Sequence, residues 1–177
     1  MNAAGGGALM ERVINLDAFP AFLIVVGGLL LAGLLGVLVP DRFSLAVTNA
    51  TAAVVYLGWP LLVGMAAEKR AGRRGGRTRA VASICFPYVV GFHVVAGILL
   101  MDGIDHLAKS TWITFLVFWT FAVAATLYLL WFGARTLVAT EEKRSVRLDQ
   151  YLGTLFEFLV LPIGVLFLQK RVRALFS

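Results

Sequence analysis

The stretch FEFLVLPIGVLFLQKRVR, Phe156 to Arg173, is apolar enough to cross a bilayer, yet it carries Glu157, is interrupted at Pro162-Ile163-Gly164 and ends in basic residues. Its reading decides the topology of the chain. Pro162 removes a backbone donor and clashes with the preceding turn, and Gly164 relaxes the chain just after it. If residues 151–169 span, Lys170, Arg171 and Arg173 end on the side opposite every other basic cluster. If the segment enters and returns, all basic clusters share one side. A break at membrane depth needs protein or water over its freed backbone groups. The return arm VLFLQKRVRALF is apolar, then basic, which suits an interfacial helix on an anionic leaflet. The expectation is a C-terminal re-entrant or interfacial broken helix, with a kinked fifth span as the alternative.

The rest of the chain sets the context. Of its 177 residues, 60% are hydrophobic and 15% charged, whereas a soluble chain is closer to half apolar and a quarter charged. The composition predicts an all-α integral membrane protein. Cys85, the only cysteine, lies in an apolar run, so neither a disulfide framework nor a cysteine metal motif arises. The N-terminal stretch MNAAGGGALMERVINLDAF lacks a basic start and is read as retained, with a short amphipathic segment around Met10 to Phe19. Asn2 after Met1 excludes myristoylation.

Four runs reach the ~20 apolar residues a membrane helix needs: Phe19–Val39, Phe43–Ala67, Val81–Met101 and Trp112–Phe132, the last running on towards Thr140. Pro40-Asp41-Arg42 makes the first two a hairpin. The runs are continuously apolar rather than alternating, which excludes a strand barrel. This divides the chain into an N-terminal segment, 1–18, a four-helix bundle, 19–140, with a basic loop at 68–80, and a linker plus hairpin, 141–177. The 68–80 loop holds Lys69, Arg70, Arg73, Arg74, Arg77 and Arg79, and Arg135, Lys143, Arg144 and Arg147 follow on the same side. The opposite loops carry only Arg42 and Lys109. The positive-inside rule makes the N-terminus and basic loops cytoplasmic. Trp112, Trp131 and Trp59 fall towards the two interfaces, while Trp119 lies deeper and needs a packing partner.

LGTLFEFLVLPIGVLFLQKRV resembles the C-terminal end of a set of small bacterial membrane proteins with no assigned function, in which an aromatic-rich run leads into Pro-Ile-Gly, an apolar turn, a Gln and basic residues. The likeness covers about the last third of the chain. It implies a bacterial inner membrane and no known activity. Leu161 before the proline and Lys170 after Gln169 depart from the pattern.

Ionisable groups inside a membrane are costly and mark candidate sites. At ~1.5 Å per residue, Glu157, Tyr56 and Tyr88 come out at about one depth near the cytoplasmic side, so a phenol–carboxylate cluster is sterically allowed, as a proton or cation site or as a wet anchor. Asn49, Thr51, His93 and Thr120 form a second layer nearer the outside, read as hydrogen-bonding glue between helices. No metal site is expected there, since no second histidine or carboxylate shares the depth. The Asn49-Ala50-Thr51 sequon lies inside a span. Gly28, Ala32 and Gly36 recur every four residues and predict a close-packing face, for the second helix or for another protein.

Arg73, Arg74, Arg77, Arg79, Lys170, Arg171 and Arg173 are read as contacts to anionic headgroups of the lipid bilayer. AGRRGGRTR lacks the aromatics of a nucleic-acid segment, so no nucleic acid is expected. No motif calls for a cofactor. Asp102, Asp105 and His106 crowd one outer loop, a polar turn in the first instance and a remote candidate for lipid-modifying chemistry. The leading expectation is a non-enzymatic accessory, scaffold or oligomer-forming subunit, with a homo-oligomer or a membrane-protein partner. The alternative is an oligomeric proton, small-cation or lipid transporter or channel using Glu157 and the broken helix at Pro162 and Gly164.

Overall fold

The computed structural model describes residues 17–72, 76–101 and 109–176. These form six helices and no strand: α1 (Ala18–Leu38), α2 (Asp41–Arg70), α3 (Arg77–Met101), α4 (Lys109–Glu141), α5 (Leu148–Leu159) and α6 (Leu161–Phe176). The first four are each long and apolar enough to cross a membrane. They match the four apolar runs of the sequence, with α2 continuing through Lys69 and Arg70 because basic residues suit a helix C-terminus. Val39 is extended, φ −99° and ψ 149°, as the residue before a proline must be, and α2 restarts directly after Pro40.

α2 is the central helix, and α1, α3 and α4 pack around it. Facing residues give the directions. Gly28 meets Val55 and Gly36 meets Thr48, so α1 and α2 run antiparallel. Gly97 lies on Ala46 and Gly58 near Phe86, which sets α3 antiparallel to α2. Gly133 lies on Pro60 and the Thr140 hydroxyl donates to the Ala67 carbonyl at 3.2 Å, so α4 runs parallel to α2. This up-down-up-down order gathers Lys69, Arg70, Arg77, Arg79, Arg135, Lys143, Arg144 and Arg147 at one end of the bundle.

The outer surface is apolar. Leu30, Val37, Leu38, Ile84, Ile113 and Phe121 are each more than 60% exposed. Trp119, for which the sequence calls for a packing partner, is 51% exposed on the bundle surface. Trp59 is buried in the bundle, with its indole N–H lacking an acceptor among the described residues.

The C-terminal segment breaks at Val160, just before the proline rather than at Pro162 to Gly164. Pro162 sits in the first turn of α6, where its missing N–H costs no hydrogen bond. The two arms fold back on each other. A straight helix would hold residues 157 and 171 ~21 Å apart, yet their side chains meet at 3.0 Å. α5 packs on α4, and α6 packs on α1 and α5, so the pair fills the gap between α4 and α1. The interior of α6 is the stripe Leu161, Val165, Leu168 and Val172, all fully buried at helical spacing.

Candidate functional site: a carboxylate–arginine clasp in the C-terminal hairpin

Gly164 is what lets the hairpin close. A Cβ added there would stand 1.8 Å from the Glu157 carbonyl oxygen, so only glycine allows α6 to lie this close to the backbone of α5. That approach carries Arg171 back to the level of Thr154 and Glu157. The Arg171 Nη1 donates to Thr154 Oγ1 at 2.9 Å and to Glu157 Oε2 at 3.0 Å. Its Nε and Nη2 donate to the two oxygens of Glu141 at 2.9 and 2.5 Å, a bidentate fork that joins α6 to the end of α4. The Glu141 hydrogen bonds raise the Arg171 pKa above its ordinary value, with burial acting in the opposite direction. One guanidinium thus holds two carboxylates, each partly shielded from water.

Around this clasp, Tyr56 donates its hydroxyl to the Leu159 carbonyl at the tip of the hairpin. Tyr56 lies near the middle of α2, ~21 Å from the Arg70 end. The other end of the hairpin returns to the basic end of the bundle, where Arg173 pairs with Asp17 at the start of α1. The hairpin therefore reaches mid-height and comes back. On α5, the Tyr151 hydroxyl accepts from the Trp131 indole N–H at 3.0 Å, fixing the entering arm to α4.

The sequence-derived cluster is partly reassigned. Glu157, Tyr56 and Tyr88 do not bond to one another: Tyr88 donates to the Phe118 carbonyl at 2.9 Å, across the α3–α4 contact, and the partner of Glu157 is Arg171. Arg171 and Arg173, read as headgroup contacts, are engaged in internal ion pairs, while Lys170, Arg77 and Arg79 keep exposed or half-exposed side chains. Arg73 and Arg74, the N-terminal residues 1–16, and the Asp102, Asp105 and His106 loop lie outside the described residues.

In the outer layer, the His93 Nδ1 is 2.8 Å from the Val89 carbonyl, and Thr120 donates to the Leu116 carbonyl at 2.9 Å. Both bonds return to the preceding turn of their own helix, not across a helix interface as the glue reading has it. The main-chain carbonyl four residues back is within direct reach of a helical His or Thr side chain. Asn49 and His93 do share a groove of about 260 Å³, with Tyr56 and Thr126, and Thr51 is half-buried on the same helix as Asn49.

The Gly28, Ala32, Gly36 stripe lies inside the fold. Ala32 is 1% exposed, and a Cβ at Gly28 or Gly36 would meet Val55 at 2.8 Å or Thr48 at 2.0 Å. The reading of this stripe as the contact for the second helix is the one realised. Sequence reasoning missed Glu141 as the second carboxylate and Glu68 as a buried one, 5% exposed at the end of α2. A chain that turns at Pro162 brings Arg171 back towards Glu157, which signals that pair, but nothing in the spacing points to Glu141. Glu68 gave no signal either, because it opens a run of charges that reads as a solvated loop.

No protein-family model, curated protein or solved structure matches the chain.

Proposed function

We propose that the chain is a bacterial inner-membrane protein of four spans, with its basic end cytoplasmic and a C-terminal re-entrant hairpin, and that it serves as a non-enzymatic accessory or oligomer-forming subunit. The membrane placement is supported by the four long apolar helices, by their exposed apolar outer faces, too extensive for water, and by the basic residues collected at one end. The hairpin reading is supported by the tip at Tyr56 and the return of Arg173 to Asp17.

The observation that carries the subunit reading is the use of interior polar groups as fasteners. Tyr56, Tyr88, Tyr128, Trp131, Thr140 and Arg171 each tie one segment to another. Such chemistry builds a rigid platform with an apolar rim. The small-residue stripe is engaged internally, so association uses other faces. Extraction into nanodiscs followed by mass measurement tests this. A defined oligomer or a stoichiometric complex is the expected result, and a monomer at native expression levels, with no fixed companion, overturns it.

The transporter reading keeps one specific support, the Glu157–Arg171 pair beside the break at Val160. Under it, Glu157→Gln abolishes pH-dependent flux in proteoliposomes. Equal flux in both proteins, or none in either, removes it.

A further inference from the structure

A second polar site lies at the basic end, between the C-terminal turn of α2, the start of α3 and the last third of α4. It is a cavity of about 340 Å³ lined by Glu68, Thr78, Trp131, Arg135 and Thr136 among others, within the range of ~300–1,000 Å³ of small-ligand pockets. Glu68 is 5% exposed. Its Oε1 accepts only a long bond from the Thr78 hydroxyl, 3.4 Å, and its Oε2 is buried with no partner among the described residues. An acceptor left so is costly unless a donor reaches it. Arg135, on the same cavity, does not fill that role: its guanidinium carbon lies 5.0 Å from the Trp131 ring centroid, and the ion pairs among the described residues lie elsewhere. A carboxylate and a guanidinium thus face one cavity without neutralising each other.

We propose that this cavity binds a phosphoethanolamine zwitterion, with the primary ammonium donating to the Glu68 carboxylate and the phosphate lying against Arg135. Resting on the membrane reading of the bundle, the site stands at headgroup level: Glu68 is within the last turn of α2, and Trp131 and Arg135 flank it. The occupant is therefore the headgroup of phosphatidylethanolamine. A quaternary ammonium has no N–H to give, so phosphatidylcholine satisfies the phosphate side only.

Native mass spectrometry of the full chain, with added phosphatidylethanolamine and phosphatidylcholine of identical acyl chains, tests it. The ethanolamine lipid is expected to bind roughly tenfold more tightly, the size of one charge-assisted hydrogen bond. Glu68→Gln erases that preference, whereas Arg135→Gln weakens both lipids alike and leaves the preference standing. Equal binding of the two lipids by the wild-type chain overturns the proposal without recourse to any variant, as does an unchanged preference in a folded Glu68→Gln protein. Competition by soluble phosphoethanolamine supports the same chemistry with a soluble ligand in place of the lipid. Carbonate washing of membranes is read separately. A chain that stays with the bilayer but shows no headgroup preference sinks this inference alone, and a chain released by carbonate sinks the membrane reading with it.

Discussion

At the scale of single residues, Gly164 and Arg171 decide whether the hairpin exists. Alanine at Gly164 has no room against the Glu157 carbonyl, 1.8 Å from the new Cβ, and a backbone atom cannot swing aside as a side-chain tip can. Gly164→Ala should cost about 3 kcal/mol, as overpacking against a rigid neighbour does. Gly153→Ala, on the same hairpin with open space at its Cβ, should gain ~0.5–1 kcal/mol from helix propensity. Apparent melting temperatures in one detergent compare the two, and a Gly164→Ala protein as stable as wild type would contradict the close approach. Arg171→Gln leaves Glu141 and Glu157 without their shared cation. Because these side chains retain 24–33% exposure, the loss should be about 1–2 kcal/mol rather than the full value of a buried pair. Hydrogen exchange of the α6 amides should then rise roughly tenfold. The pH dependence has a definite sign. The Arg171 pKa is raised in the folded state, so its contribution is complete below the unfolded guanidinium value and lost only as pH climbs through the folded one. Protection of α6 should therefore hold from about pH 7 to about pH 9. A loss within that range would mean that another group holds the arm.

At the scale of elements, the first helix carries a stripe whose role depends on its neighbour. Gly36 abuts Thr48 and the Ser44 backbone, while Gly33, just under one turn earlier, faces open space. Gly36→Leu should separate α1 from α2 and unfold the isolated chain, whereas Gly33→Leu should leave stability unchanged; protease sensitivity at the Pro40 turn distinguishes them. Intact resistance in Gly36→Leu would move the stripe from the interior to a partner. The four long helices were legible because continuous apolar runs of membrane length have no soluble alternative, and Pro40 marked a turn that backbone sterics enforce. What was not legible was lateral order. The faces of His93, Thr120 and Trp119 depend on which helices stand beside α3 and α4, and spacing along one helix carries no record of that. Tyr56 does meet the hairpin that carries Glu157, but its bond goes to the Leu159 carbonyl and it stands mid-way along α2, ~21 Å from the Arg70 end, rather than near that end. The break itself shifted by two residues, since a proline is tolerated within the first turn of a new helix and the interruption falls ahead of it.

At the scale of the whole molecule, charge and topology make one statement together. If the hairpin crossed, Arg171 and Arg173 would lie at the far end of the bundle, beyond the reach of Glu141 and Asp17. Both pairs exist. Moreover, each joins α6 to a terminus of α4 or α1 that already sits at the basic end, so the ion pairs and the positive-inside bias point the same way. Paired reporters fused after Ser177, one active only in the cytoplasm and one only outside, should give signal from the cytoplasmic reporter alone. The Gly164→Ala protein adds the sharper test. With the close approach removed, a segment of this apolarity has a straightened, spanning alternative, and the two topologies differ by the transfer of Lys170, Arg171 and Arg173 across the bilayer. That transfer opposes the charge bias, so the variant should lose hairpin packing while its C-terminus stays cytoplasmic. An external signal from the variant, with a cytoplasmic one from the wild type, would show that Gly164, rather than the basic tail, sets the topology.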